Sequence, residues 1–584
     1  MILHMDKDTD LNNLRHSLAH LLAAAVLELY PDTKNSIGPS IENGFYYDFE
    51  FSSPISDKEL PKIEKVMKKI LQTWSGFEHK EVSEKEAKDF FKDNEYKKEL
   101  IEEIVEKKEK ITLYTAGKFT DLCRGGHVES ARDIKPEAFK LTHIAGAYWR
   151  GDEKNKMLTR IYGLAFNTKE ELNTYEIQIE EAKKRDHKKL GKELDLFTFS
   201  ELVGAGLPLW TPKGTMLRDV LDNFVWELRQ KFGYERVDIP HITKKDLYEK
   251  SGHWQKFKDE LFKIETREGH TFVMKPMNCP HHVQIYDRKP WSYKELPQRY
   301  ASTTKVYRDE QSGELSGLSR VRCITQDDAH VFCRHDQVKQ EMKNIWTMIE
   351  TFYSAVGFTL TPRLSLHDPK QMDKYLGDEK IWQKAEQELR ELVKEKGVNA
   401  IEAPGEAAFY GPKVDFMGND SLGREWQVAT IQLDMNMPVN FDLTCTNEKG
   451  EKETIVMIHA AIMGSIERFL SVIIEHFAGA FPLWLSPVQV KIIPIGEVHI
   501  EFAKKVSESL KSAGIRVEED FSDEGFGKKV RQAKVDKIPY FLIIGDKEIE
   551  ADKVTLESRD KGNLGQISTE DLLSKLTEEI SNKS

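Results

Sequence analysis

Residues 170–192 carry a helical pattern dense in Glu, Lys and Arg, with few large apolar side chains. A helix without a broad apolar stripe has nothing to bury in a core, so this stretch reads as a connector between folding units. The chain of 584 residues is also too long for one hydrophobic core, and length alone suggests about three to four domains. The expected division is residues 1–170, a charged helical linker at 171–194, a large unit at 195–485 and a smaller one at 486–584.

The first unit opens with an apolar-periodic helix from Leu11 to Tyr30, stopped by Pro31. IGPSIENGFYYDFEF follows, its aromatic alternation bounded by Gly and Pro in the pattern of turn, strand and hairpin. Acidic and lysine-rich helices are expected around residues 57–109, then a strand at ITLYTAG and a loop at Cys123. After LSPVQV the pattern turns regular: strand VQVKIIPI, helix 499–513, strand IRVEE, helix 525–535, strands YFLIIG and KVTLES, and a final helix. That order predicts a small α/β domain with a mixed sheet.

Apolar residues make up 39% and charged residues 32% of the chain, and no run of about 18 apolar residues could cross a bilayer. MILHMDKDTD lacks the basic-then-apolar pattern of a signal peptide. Five cysteines without a CxxC pair argue for a reducing cytoplasm and against a disulfide scaffold. A net charge of −12 argues mildly against non-specific coating of nucleic acid, although local patches decide specific binding. Two basic stretches, residues 183–189 and 525–534, fit either solvated helix faces or phosphate contact.

In RHSLAH, His16 and His20 stand at i and i+4, on one helix face. CRGGH places Cys123 and His127 at the same spacing. The four residues are the ligand inventory of a zinc site, but buried, hydrogen-bonded histidines satisfy the same spacing.

Arg308 and Glu310 lie two apart in YRDE, so on a strand both would face one side, a phosphate clamp beside an acceptor for an amine. Arg320 follows after a polar loop with two glycines. Taken alone these could be a surface salt-bridge ladder. Together with Pro240 at the end of YERVDIP and Arg468 in MGSIERF, the set resembles the three signature motifs of class II aminoacyl-tRNA synthetases. The resemblance implies an antiparallel sheet that binds ATP in a bent shape, in an α+β protein. Arg308 would hold the α-phosphate, Glu310 the adenine end, Arg320 the outer phosphates, and Arg468 would lie against adenine. The first motif would form a homodimer interface.

KPMNCPHH, TQDDAH, AFYGPK, REWQ, TIQLD and VMIHAAIMGSIERF are similar to threonyl-tRNA synthetases in particular. That family places Cys279, His330 and His459 on a zinc ion, with Mg²⁺ accompanying ATP. Cys and His are ordinary zinc ligands, and three leave a coordination position open for substrate. Threonine could offer its amino group and hydroxyl, whereas valine has no hydroxyl; a site built around a hydroxyl rejects its absence by about 10⁴-fold or more. The resemblance further implies Asp328 on the hydroxyl, Gln326, Tyr410, Gln432 and Met277 near the amino acid, Lys413 near the α-phosphate, and His253 assisting transfer to tRNA(Thr). The family's ubiquitin-like extension is expected to be missing, because the chain begins where the next domain starts.

A zinc that demands a hydroxyl accepts serine, and one missing methyl discriminates by only about 10- to 200-fold. A hydrolytic second site is therefore expected. HSLAH, GFYYDF, DLCRGGH and GAYWRGD resemble the family's editing domain. By that resemblance His16, His20, Cys123, His127, Asp121, Lys97 and Tyr47 form a pocket that deacylates seryl-tRNA(Thr), expected to work without a metal. Gly126 stands where many relatives have proline. The last unit resembles an anticodon-binding domain in which Glu548 and Arg559 are kept, while Asp523 and Glu557 depart from a relative's Asn and Arg. Two rivals are a synthetase-like binding protein, which would have lost the arginines or zinc ligands, and a prolyl or seryl class II enzyme, which would not explain Cys279, His330 and His459 beside an editing domain.

Overall fold

The computed structural model describes residues 2–583. It forms two compact units that divide between Glu180 and Glu181, and the stretch expected as a solvated linker is two helices, Lys169–Arg185 and His187–Glu193, the second burying His187 and Leu190.

The first unit is built on helix Ile2–Leu29. It starts ahead of Leu11 because MDKDTD holds no Gly or Pro to break it. Leu14, Leu18, Leu21, Leu22 and Val26 bury its apolar stripe against Phe45, Tyr47 and Phe49, the inward half of the aromatic alternation in strand Gly44–Glu50. That strand pairs antiparallel with Lys34–Asn35, with Ser40–Ile41 as a hairpin, and with Met157–Ala165, which pairs with Phe139–Tyr148. Helices Leu60–Leu71, Glu84–Phe90 and Glu95–Glu106 fill the expected helical region, interrupted by strand Glu78–Val82. This strand forms a second antiparallel sheet with Ile111–Ala116 and Phe119–Leu122, whose end delivers Asp121 and the Cys123 loop.

The second unit is organised by an eight-stranded sheet in the order Glu235–Arg236, Gln298–Tyr307, Cys323–Cys333, Val456–Ala461, Glu425–Asp434, Lys413–Asn419, Thr359–Leu366, Ile401–Pro404. All pairings are antiparallel except those of the two edge strands. Helices Pro212–Lys231, Val338–Ala355 and Ile466–His476 contribute Leu221, Ile345, Phe352 and Ile473 to one core with Val331, Ile431, Ile458 and Ala460 from the strands. Because strand side chains alternate, Gln326, Asp328 and His330 share the face opposite Ala329 and Val331. One face is the core and the other is left for polar chemistry.

The last hundred residues form a mixed sheet, Val517–Glu519, Val490–Pro494, Tyr540–Ile544, Val554–Ser558 and Gly562–Ile567, parallel in its first two pairings and antiparallel in the rest. Strand Gly562–Ile567 and the short helix Asp546–Ala551 go beyond the sequence expectation. GNLGQI is an exposed edge in which Ile567 alone packs partly on the core, and so gives no apolar alternation to read.

Candidate functional site

On the polar face of the large sheet lies a cavity of about 690 Å³. Its walls include Met277, Arg308, Glu310, Arg320, Gln326, Asp328, Tyr410, Lys413, Gln432, Arg468 and the trio Cys279, His330 and His459. Of the residues that the resemblance places at the nucleotide and amino-acid site, all line it except His253.

Strand register makes the trio. His330 and His459 are directly paired across neighbouring strands, as are His459 and Gln432. His330 Nε2 lies 3.0 Å from His459 Nδ1, and the two outward nitrogens are already engaged: His330 Nδ1 with His282 Nδ1 at 2.8 Å, His459 Nε2 with Asp434 Oδ2 at 3.0 Å. With Asp434 accepting a hydrogen bond from Nε2–H, the His459 Nδ1 lone pair faces His330, an arrangement that a cation between the rings satisfies. Cys279, at the start of helix Cys279–Tyr286, brings Sγ to within 4.8 Å of both. The donor set and its carboxylate support fit zinc. Burial alone would keep the Cys279 thiol protonated, its pKa pushed well above the usual range, so a metal would have to displace that proton.

Beside the trio, burial lifts Asp328 to about 6, against the pull of His459 and a hydrogen bond from Asn278 Nδ2 at 3.1 Å. Lys413 is tied to Asp415 at 2.7 Å, and Asp415 also accepts from Ser365, Gln427 and Thr430. Arg308 and Glu310 sit just past the end of strand Gln298–Tyr307 and Arg320 in a turn closed by Ser316, not on strands as expected. Here the sequence is polar, with Gly and Ser, and the chain leaves the sheet plane. Arg320 pairs with Glu310 at 2.8 Å and Glu314 at 3.2 Å. Among the described residues the Arg308 guanidinium has only Met277 Sδ at 3.5 Å and the Phe257 ring at 5.7 Å, and its Nε is buried without a partner. Arg468 follows the Ser465 cap of its helix and lies 6.0 Å from the Trp426 ring.

His253 is 1% exposed, behind Tyr410 at 5.9 Å between ring centroids, with Nδ1 on Ser251 Oγ at 2.9 Å. Burial, assisted by His459, lowers it to about 4.

The first unit holds a second cluster. His16, His20, Cys123 and His127 each bring one donor atom within 4.8 Å of the others. His16 Nε2 and His127 Nε2 lie 3.1 and 3.3 Å from Cys123 Sγ. Burial lowers His16 and, with His16 and Lys97 adding to it, holds His20 well below the normal range; burial with its histidine neighbours puts His127 at about 2. Burial raises the Cys123 thiol to about 11. The cluster therefore offers neutral imidazoles and a protonated thiol, donors fit to position water or, once the thiol ionises, to hold a metal. Alongside, the buried Lys97–Asp121 pair lies at 2.5 Å, and the Tyr47 hydroxyl donates to Asp121 and accepts from Asn35 at 3.0 Å. Gly126 sits at φ +84°, a conformation closed to proline, so this loop takes a path that a proline chain could not share.

Sequence reading passed over the supporting shell: His282, Asp434, Asn278, Asp415 and Asn35. Two of them carried a signal in strand alternation, because Asp434 is two residues beyond Gln432 and Asp415 two beyond Lys413. Glu548 and Arg559 are placed within the last domain with their polar groups engaged: Glu548 accepts from Gly545, Thr555 and Gln566, and Arg559 donates to Phe481, Lys537 and Asp560.

Family models match three stretches of the chain. One described as tRNA synthetase class II core domain (G, H, P, S and T) matches residues 262–477, an anticodon binding domain matches 489–579, and the threonyl and alanyl tRNA synthetase second additional domain matches 111–162. A threonine--tRNA ligase of Cytophaga hutchinsonii is 49% identical over 571 residues, 97% of this chain and 88% of the relative. That of Rubrobacter xylanophilus is 48% identical over 560 residues, 95% and 87% of the two chains. The solved RNA binding domain of threonyl-tRNA synthetase from Cryptosporidium parvum superposes with a TM-score of 0.65 at 36% identity, over 67% of this chain and 98% of that one. A Giardia lamblia prolyl-tRNA synthetase, at 16% identity and a TM-score of 0.55 over 70% of this chain and 80% of its own, shares the fold alone. With near full-length identity of this order, the chain belongs to the threonine--tRNA ligase family.

Proposed function

We propose that the chain activates threonine with ATP, transfers it to tRNA(Thr) and hydrolyses mischarged seryl-tRNA(Thr). One observation carries the reading: a single cavity gathers Arg308, Arg320 and Arg468 with the Cys279, His330 and His459 trio. The threonine carboxylate attacks the α-phosphate and pyrophosphate leaves; a terminal ribose hydroxyl of tRNA then attacks the carbonyl carbon and AMP leaves. Both steps depend on alignment and charge neutralisation more than on a strong base. Arg308 and Lys413 face the α-phosphate, Arg320 the outer phosphates with Mg²⁺, and Glu310 and Arg468 the adenine. Nucleotide binding must exchange the Arg320–Glu310 pair for these contacts.

Cys279, His330 and His459 would hold zinc, which when bound supplies an electrophilic position for the amino group and hydroxyl of threonine. Asp328 accepts from that hydroxyl, and Gln326, Gln432, Tyr410 and Met277 shape the pocket. His253 would act on transfer from behind the cavity wall, where its Nε2 lies 3.7 Å from Cys279 Sγ. Glu548 and Arg559 would reach anticodon bases only by giving up their internal bonds. Exposed Phe199, Leu202, Val203, Leu209 and Met216 around the start of the first motif support a homodimer there. Among the described residues no helix is long and apolar enough to cross a membrane, in keeping with a cytoplasmic partner of tRNA.

ATP–pyrophosphate exchange tests the reading with threonine, serine and valine in turn. Threonine and serine are expected to support exchange, with valine weaker than threonine by about 10⁴-fold. No exchange with threonine would overturn the ligase reading, and equal exchange with valine would overturn discrimination through the hydroxyl. Elemental analysis separates the two clusters. About one zinc per chain is expected in the wild type and in His16→Ala, and almost none in Cys279→Ala. Zinc lost with His16→Ala and retained in Cys279→Ala would place the metal in the first unit.

A further inference from the structure

His187 lies outside the cavity, yet it is joined to two of the elements that carry nucleotide-facing arginines. It opens helix His187–Glu193 and its ring is buried. Its Nδ1 is 2.7 Å from Glu475 Oε1, which also accepts the His187 backbone N–H at 3.1 Å. Its Nε2 is 3.1 Å from the backbone nitrogen of Leu318. A backbone N–H can only donate, so Nε2 carries the lone pair and Nδ1 the proton; the two bonds fix one neutral tautomer. Glu475 stands two helical turns beyond Arg468 on helix Ile466–His476 and is held from its other oxygen by Arg424 at 2.6 Å.

Leu318 is two residues before Arg320. The turn between Ser316 and Arg320 is closed on itself by Ser316 N to Arg320 O at 3.1 Å and Ser319 N to Ser316 O at 2.9 Å. It is attached to the rest of the unit through the buried Leu318 side chain, the bond to His187 and the pairing of Arg320 with Glu310. Contact is tight: Gly317 has φ +49°, and a Cβ there would overlap His187 Nε2 and stand 2.8 Å from Lys188 Cγ.

We infer that His187 is a positioning residue for ATP binding: its imidazole ties the turn that carries Arg320 to the helix that carries Arg468. The inference rests on the ligase reading above for the identity of the nucleotide site, and goes beyond it in giving the connector helix a part in activation. Glutamine reaches about as far as Nε2 and can still accept from Leu318; asparagine reaches only as far as Nδ1 and cannot.

The test measures ATP affinity of the full chain by calorimetry and exchange kinetics with ATP and threonine varied separately. His187→Asn is expected to weaken ATP binding and raise its KM by about tenfold, with the KM for threonine and the hydrolysis of seryl-tRNA unchanged. His187→Gln should restore ATP constants to within about twofold. Gly317→Ala, which leaves the ring intact and displaces the turn, should show the same ATP-selective loss. Equal ATP affinity in all three variants, or ATP and threonine constants shifting together, would reduce His187 to a packing residue and overturn the inference. The wild type tests the reading separately: ATP binding without threonine-dependent exchange would sink the ligase assignment and leave the affinity comparison intact.

Discussion

Arg308→Ala is expected to lower kcat/KM for threonine-dependent ATP–pyrophosphate exchange by about 10³-fold while leaving thermal unfolding nearly unchanged. The asymmetry follows from what the guanidinium touches. Among the described residues it has no carboxylate partner, only a thioether and a ring, and its Nε is buried and unbonded. Removing it strands no buried anion, so the fold loses little. A phosphate entering the cavity would complete its hydrogen bonds in a partly desolvated place, where a charge-assisted pair is strong. Arg320 makes the instructive contrast. Its side chain is 49% exposed and already pairs with Glu310 and Glu314, so part of any phosphate attraction is offset by breaking those contacts. Its alanine variant should lose about tenfold, near the value of a screened contact. Exchange kinetics and a melting curve on both variants check the pair; a loss under tenfold at Arg308, or the reverse ranking, would remove it from the α-phosphate.

The difference between the two clusters in legibility has a physical origin. His16 and His20 are neighbours because a helix repeats every 3.6 residues, a local rule that the spacing carries openly. His330 and His459 are neighbours because two strands 129 residues apart in sequence pair in one register, and no local pattern encodes that choice. Only their resemblance to relatives brought them together. The same division runs through the fold. The aromatic alternation of Gly44–Glu50 and the strand–helix order of the last domain were legible, since each follows from burial on one face. The exposed edge strand Gly562–Ile567 and the off-strand placement of Arg308 and Arg320 were not, because polar loops obey partners rather than periodicity. The supporting residues Asp434 and Asp415 fall between: alternation puts them on the cavity face, but only the structure shows which side chains they hold.

His20→Ala is expected to leave threonine charging intact and slow the deacylation of seryl-tRNA(Thr) by about 10²- to 10³-fold, so that the mischarged product accumulates. His20 is the sharpest probe in the cluster. Its ring is buried, 5.0 Å from that of His16 and 4.6 Å from that of His127, with Phe77 and Phe119 at its edges, and among the described residues its Nδ1 has no hydrogen-bond partner. Burial keeps the ring neutral, so it is able to accept a hydrogen bond from water and orient it. An unbonded nitrogen in such a place is retained at a cost, and substrate or water would satisfy it. Lys97 and Asp121 are poorer probes, since truncating either leaves the other buried and unpaired, which destabilises by about 3–5 kcal/mol and would confound lost hydrolysis with lost fold. Deacylation of isolated seryl-tRNA, measured beside threonine charging in the same preparation, decides the matter. Undiminished deacylation with His20 removed would take the cluster out of proofreading, whereas a parallel fall in charging would show that the substitution had damaged the chain as a whole.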